Sequence, residues 1–195
     1  MQKPNLIGMP DFTTILIEGL ILIFSAIWLM LPAYLPNNVA ALTGGGTPID
    51  LGKKWSDGRR IFGDGKTIRG FIGGVAAGIG IGLIQIYAES SGIVPEFPSH
   101  TIPAVILLAT GSLLGDMIKS FFKRRQGIER GGKWPLIDQY DFVIGALILT
   151  LLLDPEWMFS TLTLPLLITI LIITPLLHRI VNIIGYKLGL KEVPW

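Results

Sequence analysis

Apolar residues gather into five long runs along the chain, at about 13–35, 70–87, 102–122, 142–153 and 161–177, separated by segments rich in charge, glycine and proline. Runs of this length without alternation read as membrane-spanning helices, which need about 20 apolar residues to cross a hydrocarbon core of ~30 Å. The fourth run has 12 residues, only ~18 Å of helix at 1.5 Å per residue, so its helix is expected to begin near residue 136 and to include Asp138 and Asp141. Pro135 suits the first turn of that helix, and Pro175 predicts a kink late in the fifth. The expected fold is an all-α integral membrane protein of one domain, with about five transmembrane helices and two polar loops, 36–69 and 123–135.

The polar positions inside these runs change the picture from a generic bundle to a bundle with a site. Gly70, Gly74, Gly78 and Gly82 recur every four residues, a stripe that lets a neighbouring helix backbone approach closely. Ser112, Asp116, Lys119, Ser120 and Lys123 recur every three or four residues and share one face at one end of the third span. Asp138 and Asp141, at i and i+3, share a face of the fourth. A carboxylate within a span costs at least ~2.5 kcal/mol and marks function by default. Glu18 reads as a residue near the outer headgroups, and His100, in a proline-rich connection, as an exposed, solvated histidine. His178 and Arg179 sit at the membrane edge, where they reach the polar cavity or where Arg179 snorkels to the interface.

Composition agrees with the membrane reading: half the residues are hydrophobic, 15% are charged and the mean hydropathy is +0.60. No cysteine is present, which excludes disulfides, zinc-thiolate sites and cysteine nucleophiles. The first run is long enough to span and shows no sign of a cleaved signal. Of 16 basic residues, one (Lys3) precedes the first span, six lie between the first and second, six follow the third and three lie in the tail. The connections after the second and fourth spans have none. By the positive-inside rule both basic loops and the C-terminus are cytoplasmic and the N-terminus is external. This orientation brings Asp116, Asp138 and Asp141 together near the cytoplasmic face.

The long first loop offers Gly44, Gly45, Gly46, Gly63 and Gly65 for close backbone approach, with Lys53, Lys54, Arg59, Arg60, Lys66 and Arg69 as cationic donors. An acidic triad suited to hard cations beside basic segments suited to phosphates suggests metal-assisted phosphate chemistry. Gly65-Lys66-Thr67 ends like a P-loop, but Arg60 stands where the first glycine belongs. Asp64 to Arg69 resembles the opening of the CDP-alcohol phosphotransferase signature, whose two later aspartates would fall on Gly82 and Ile86. A transporter would show repeats and helices broken at the midplane, which the five unequal runs lack; a lipid-bound scaffold would have no use for the three carboxylates.

The chain resembles the CDP-archaeol synthases, the archaeal branch of the phosphatidate cytidylyltransferase group, over nearly its whole length. The resemblance is carried by Pro36-Asn37-Asn38, by 44–50 and 57–67, by 115–141 and by the ending 189–195. Ser120-Phe-Phe-Lys123-Arg124 and the pair Asp138 and Asp141 match the broader signature, whereas Glu129, Arg130 and Gln139 depart from its bacterial and eukaryotic form. The resemblance implies transfer of CMP from CTP to 2,3-bis-O-(geranylgeranyl)-sn-glycerol 1-phosphate in a cell membrane, with release of pyrophosphate and no nucleic-acid partner. Asp116, Asp138 and Asp141 would hold Mg²⁺ and act in catalysis with Lys123. Lys66, Arg69, Lys119, Ser120 and Arg124, with Asp64 and Thr67 beside them, would bind the phosphates.

Overall fold

The computed structural model describes residues 11–94 and 97–190, so Lys3, Glu96 and the end of the C-terminal motif lie outside the described residues. The described residues form six α-helices: α1 (Phe12–Thr43), α2 (Ile68–Ser90), α3 (Ile102–Arg125), α4 (Ile137–Leu153), α5 (Pro155–Thr161) and α6 (Leu164–Lys187). Helices α1, α2, α3 and α6 are each long and apolar enough to cross a bilayer. The 17-residue α4 turns through 118° into the short α5, and the pair raises the count to five when it is taken as one broken span. The chain is thus an all-helical membrane protein of four or five spans, as the apolar runs predict.

Helix starts follow side-chain caps. Asp11, Thr67, Thr101, Asp154 and Thr163 each accept a hydrogen bond from a backbone N–H three residues on, satisfying one of the orphan donors of a first turn. α4 has no such cap. Its N-cap is Leu136, at φ 67°, and the helix begins at Ile137, so Pro135 stands before the first turn rather than in it.

The first span is longer than expected. α1 continues through Pro32 and Pro36 to Thr43, which shortens the first loop to residues 44–67. A proline leaves the carbonyl four residues earlier without its helical donor. For Pro32 that carbonyl belongs to Trp28, and the buried Gln85 of α2 supplies the missing bond at 2.7 Å. α6 likewise runs unbroken past Pro175 to Lys187, well beyond the expected end at 177.

The core brings Ala26, Leu29, Met30 and Ala33 of α1 against Ala104 and Leu108 of α3, Phe142, Val143 and Ala146 of α4 and Ile170 of α6. The glycine stripe of α2 faces inward as predicted: side chains at Gly74 and Gly78 would collide with the Pro36 and Pro32 carbonyls of α1. Glu18 is exposed. His100, expected to be solvated, is buried at 6% exposure. Its Nδ1 lies 2.8 Å from Glu89 Oε1, and its Nε2 lies 3.1 Å from the Leu29 carbonyl oxygen. The end of the connection is pinned to α2 at this point, because the Glu89 carboxylate binds both the His100 ring and its backbone N–H.

Candidate functional site

Close packing of α3 on α4 creates the site. Gly111 and Gly115 of α3 meet Gly145 of α4 backbone to backbone, and this contact carries Asp116 to the level of Asp141 one turn away. Asp138, Asp141, Asp116, Lys119 and Lys123 then project into one space between the helices. Lys119 is the focus: its Nζ lies 3.0 Å from Asp116 Oδ1, 2.7 Å from Asp141 Oδ2 and 3.4 Å from Asp138 Oδ1. Lys123 donates to both Asp138 oxygens, at 2.8 and 3.1 Å, and the Trp134 N–H donates to the same carboxylate at 2.7 Å. Side-chain exposure of the five ranges from 3% at Asp141 to 21% at Asp138, so these charges balance one another away from bulk water.

The loop adds Lys66, whose Nζ pairs with Asp116 Oδ2. Its reach depends on how 44–67 folds. The Ile49 N–H donates to the Lys66 carbonyl at 2.8 Å, and the Ile68 N–H to the Thr47 carbonyl at 3.0 Å. Below them Asp50, its side chain fully buried, accepts from the backbone N–H groups of Gly52, Phe62 and Gly63 and from the Arg60 guanidinium. Burial alone would raise the Asp50 carboxyl; Arg60 and the three N–H groups outweigh it and hold the group well below the usual carboxylate range. Asp50 is a site-shaping residue that the motif 44–50 contained without revealing its role; a lone aspartate among glycines reads as a turn.

The loop is also clasped to α3. Arg59 donates to the Arg124 and Arg125 carbonyls at the end of the helix, at 3.2 and 2.5 Å, the Arg124 carbonyl also accepting from the Gly127 N–H at 3.1 Å. In return Arg125 pairs with Asp57 at 3.0 Å and lies over the Phe121 ring.

Two cavities flank the cluster. One, of about 480 Å³, runs between α1 and α6; it is lined by Ile27, Leu31, Leu35, Leu177 and Val181 and ends at the aspartates. The other, of about 720 Å³, lies under the loop and is lined by Arg59, Arg60, Arg124 and Arg130 with the glycines 44, 45, 63 and 65. Lys66, Lys119 and Lys123 line both, so they form the partition between an apolar chamber and a basic one.

The other predicted binding residues are distributed less evenly. Ser120, Arg124 and Asp64 line the basic cavity, with Ser120 donating to the Asp116 carbonyl at 2.9 Å and Asp64 paired with Arg60. Thr67 is buried as the cap of α2. Arg69 is exposed and lines neither chamber; it donates to the Thr43 and Gly44 carbonyls and closes the end of α1. His178 lines the apolar chamber, stacked on Phe142 at 6.1 Å, whereas Arg179 is exposed outside it.

Among the described residues no three acidic or histidine side chains stand ready as a metal-ligand cluster. The donor chemistry nevertheless fits a hard cation. Three carboxylates converge on one ammonium, and the Asp141 side chain is only 3% exposed, so a cation between them would be held by oxygen donors out of bulk water.

Comparison with known proteins agrees with this architecture. A family model described as "CarS-like: CDP-archaeol synthase" matches residues 19–195. A CDP-archaeol synthase of Methanospirillum hungatei JF-1 is 76% identical over 166 residues, 85% of this chain and all of that protein. One from Methanoculleus marisnigri is 60% identical over the same shares. A solved structure described as "Structural insight into an intramembrane enzyme for archaeal membrane lipids biosynthesis" superposes with a TM-score of 0.69 at 40% identity, covering 83% of this chain and 94% of the other. The chain belongs to the CDP-archaeol synthase family.

Proposed function

We infer that the protein is a CTP-dependent cytidylyltransferase of archaeal membrane lipid biosynthesis, making a CDP-activated ether lipid. The observation that carries this is the lysine partition. A triphosphate fits the basic chamber and a lipid phosphate fits the apolar one, and Lys66, Lys119 and Lys123 reach both. The preferred lipid substrate is 2,3-bis-O-(geranylgeranyl)-sn-glycerol 1-phosphate, whose chains stay between α1 and α6 while CTP enters from the cytoplasmic side. The whole chain is one catalytic domain, with both basic loops and the C-terminus cytoplasmic.

A phosphate oxygen of the lipid attacks the α-phosphorus of CTP; the new P–O bond forms as the bond to the β-phosphate bridge breaks, and pyrophosphate leaves. The lysines neutralise two polyanions that would otherwise repel, and hold them in line. Arg124 and the glycine edges at 63 and 65 orient the triphosphate. Asp116, Asp138 and Asp141 are the residues that would hold Mg²⁺, which supplies charge neutralisation at the transferring and leaving phosphates. No side-chain nucleophile is required, in keeping with a chain that has no cysteine and two histidines.

The test is incubation of purified protein in detergent with radiolabelled CTP, Mg²⁺ and a panel of lipid phosphates. A labelled CDP-lipid with the prenyl ether phosphate is expected. Failure to label any lipid phosphate would overturn the reading.

A further inference from the structure

Lys119 stands where a metal ion would compete with it. Its ammonium is within 3.4 Å of a carboxylate oxygen from each of Asp116, Asp138 and Asp141, and its side chain is 13% exposed. Asp116 has a second cation in Lys66, and Asp138 has a second in Lys123. Asp141, its side chain only 3% exposed, has Lys119 as its one ion-pair partner among the described residues, at 2.7 Å. Three carboxylates so close together repel unless a cation lies between them, and the protein supplies one as a side chain.

We propose that Lys119 and a divalent cation compete for these carboxylates and that CTP decides the competition. This rests on the proposed metal role of the three aspartates. A divalent ion and an ammonium cannot share so small a space without strong repulsion, so the metal enters as Lys119 leaves. Lys119 has somewhere to go because it also lines the basic chamber, where a triphosphate offers it new anionic partners. The phosphates take the lysine and thereby open the carboxylates. Metal and nucleotide therefore bind with positive coupling, and the protein holds a divalent ion weakly when no nucleotide is present. The design keeps the buried carboxylates compensated at every stage, which a site of aspartates alone would not do.

Removing the lysine should then strengthen metal binding, the reverse of what a lysine that only grips phosphate predicts. Mn²⁺ serves as the probe, with free ion read by electron paramagnetic resonance on the full chain in detergent without nucleotide. Lys119→Met is expected to bind Mn²⁺ at least tenfold more tightly than the unaltered protein, and Mn²⁺ should raise its Tm by more. The Asp116→Asn/Lys119→Met pair, compared with Asp116→Asn alone, asks the same question with one carboxylate fewer to repel, should Lys119→Met not fold. Mn²⁺ affinity unchanged or weakened on removal of the lysine, in whichever background folds, overturns the proposal. Turnover of CTP by the unaltered protein with every divalent cation chelated would overturn the metal role of the aspartates itself, a separate failure.

Discussion

Gly115 of α3 packs directly against the main chain of Asp141 on α4, so close that no side chain fits between them. The position of a proposed metal-holding carboxylate is therefore set by the absence of a side chain on the opposite helix. Replacing Gly115 by Val should push the helices apart, cost ~1–3 kcal/mol through overpacking and remove nearly all turnover. Turnover and thermal unfolding measured on the same detergent preparation check both effects. A Gly115→Val protein with normal turnover would show that the α3–α4 spacing does not set the site.

Asp138→Asn and Asp141→Asn keep the side-chain volume and remove the charge. Turnover at saturating Mg²⁺ should fall at least ~100-fold, in the range lost when transition-state electrostatics are removed, while the protein stays extractable and folded. Retention of more than about a tenth of turnover by either variant, a loss of under ~1.4 kcal/mol, would remove that residue from the catalytic set.

The Asp50 hub makes a pH prediction. Its carboxyl is depressed in the folded protein, so the stability it contributes is complete above its unfolded value of ~3.9 and is lost as pH falls toward the lower folded value. Protease cleavage within 44–67 should increase only in acid. Asp50→Asn should expose the same cleavage at neutral pH, with a loss of roughly 2 kcal/mol or more from the charged hydrogen bonds and a raised KM for CTP. If the loop of Asp50→Asn remains as protected as the original at pH 7, the hub does not order it.

His100 anchors the end of the bundle opposite the site. His100→Ala removes the ring from the Glu89 carboxylate while the Trp28 indole N–H and the backbone N–H of residue 100 still donate to it, and should cost about 1.5–3 kcal/mol for the lost hydrogen bond to a charged group. A lowered Tm with near-normal turnover at permissive temperature is expected. Loss of turnover out of proportion to Tm would tie this end to catalysis.

Orientation can be read with single cysteines, since the chain has none of its own. Ser56 and Ser99 are both exposed, one in the loop that roofs the basic chamber and one in the connection at the other end. A membrane-impermeant thiol reagent on intact cells should label a cysteine at Ser99 and spare one at Ser56. Labelling at Ser56 from outside would place the basic chamber away from CTP.

What the sequence made legible was whatever depends on local period. The apolar runs, the α2 glycine stripe and the shared face of Asp116, Lys119 and Lys123 all follow from helix geometry. Partnerships across helices were not legible. Pro36 looked like the end of a span because the close packing of α2 on α1 cannot be seen locally. His100 looked solvated because Glu89 and Leu29 reach it from two other helices. Arg69 matched a phosphate-binding pattern, yet in the structure it closes the end of α1. Asp116, Asp138 and Asp141 do converge, as their positions on two helix faces imply, but on the ammonium of Lys119, whose place among them the spacing does not reveal.

The shortness of α4 also has a bearing on the bilayer. Seventeen residues give ~25 Å of helix against a hydrocarbon core of ~30 Å, and the 118° bend into α5 leaves the helix no means of lengthening outward. Lipid beside α4 must thin, or the whole bundle must tilt, at a cost of fractions of a kcal/mol per Å. Thinning beside α4 brings the headgroup plane down toward Asp138 and Asp141. In the proposed orientation a lipid phosphate would then approach these carboxylates while its chains stay in the hydrocarbon, and turnover in thinner bilayers is expected to exceed that in thicker ones.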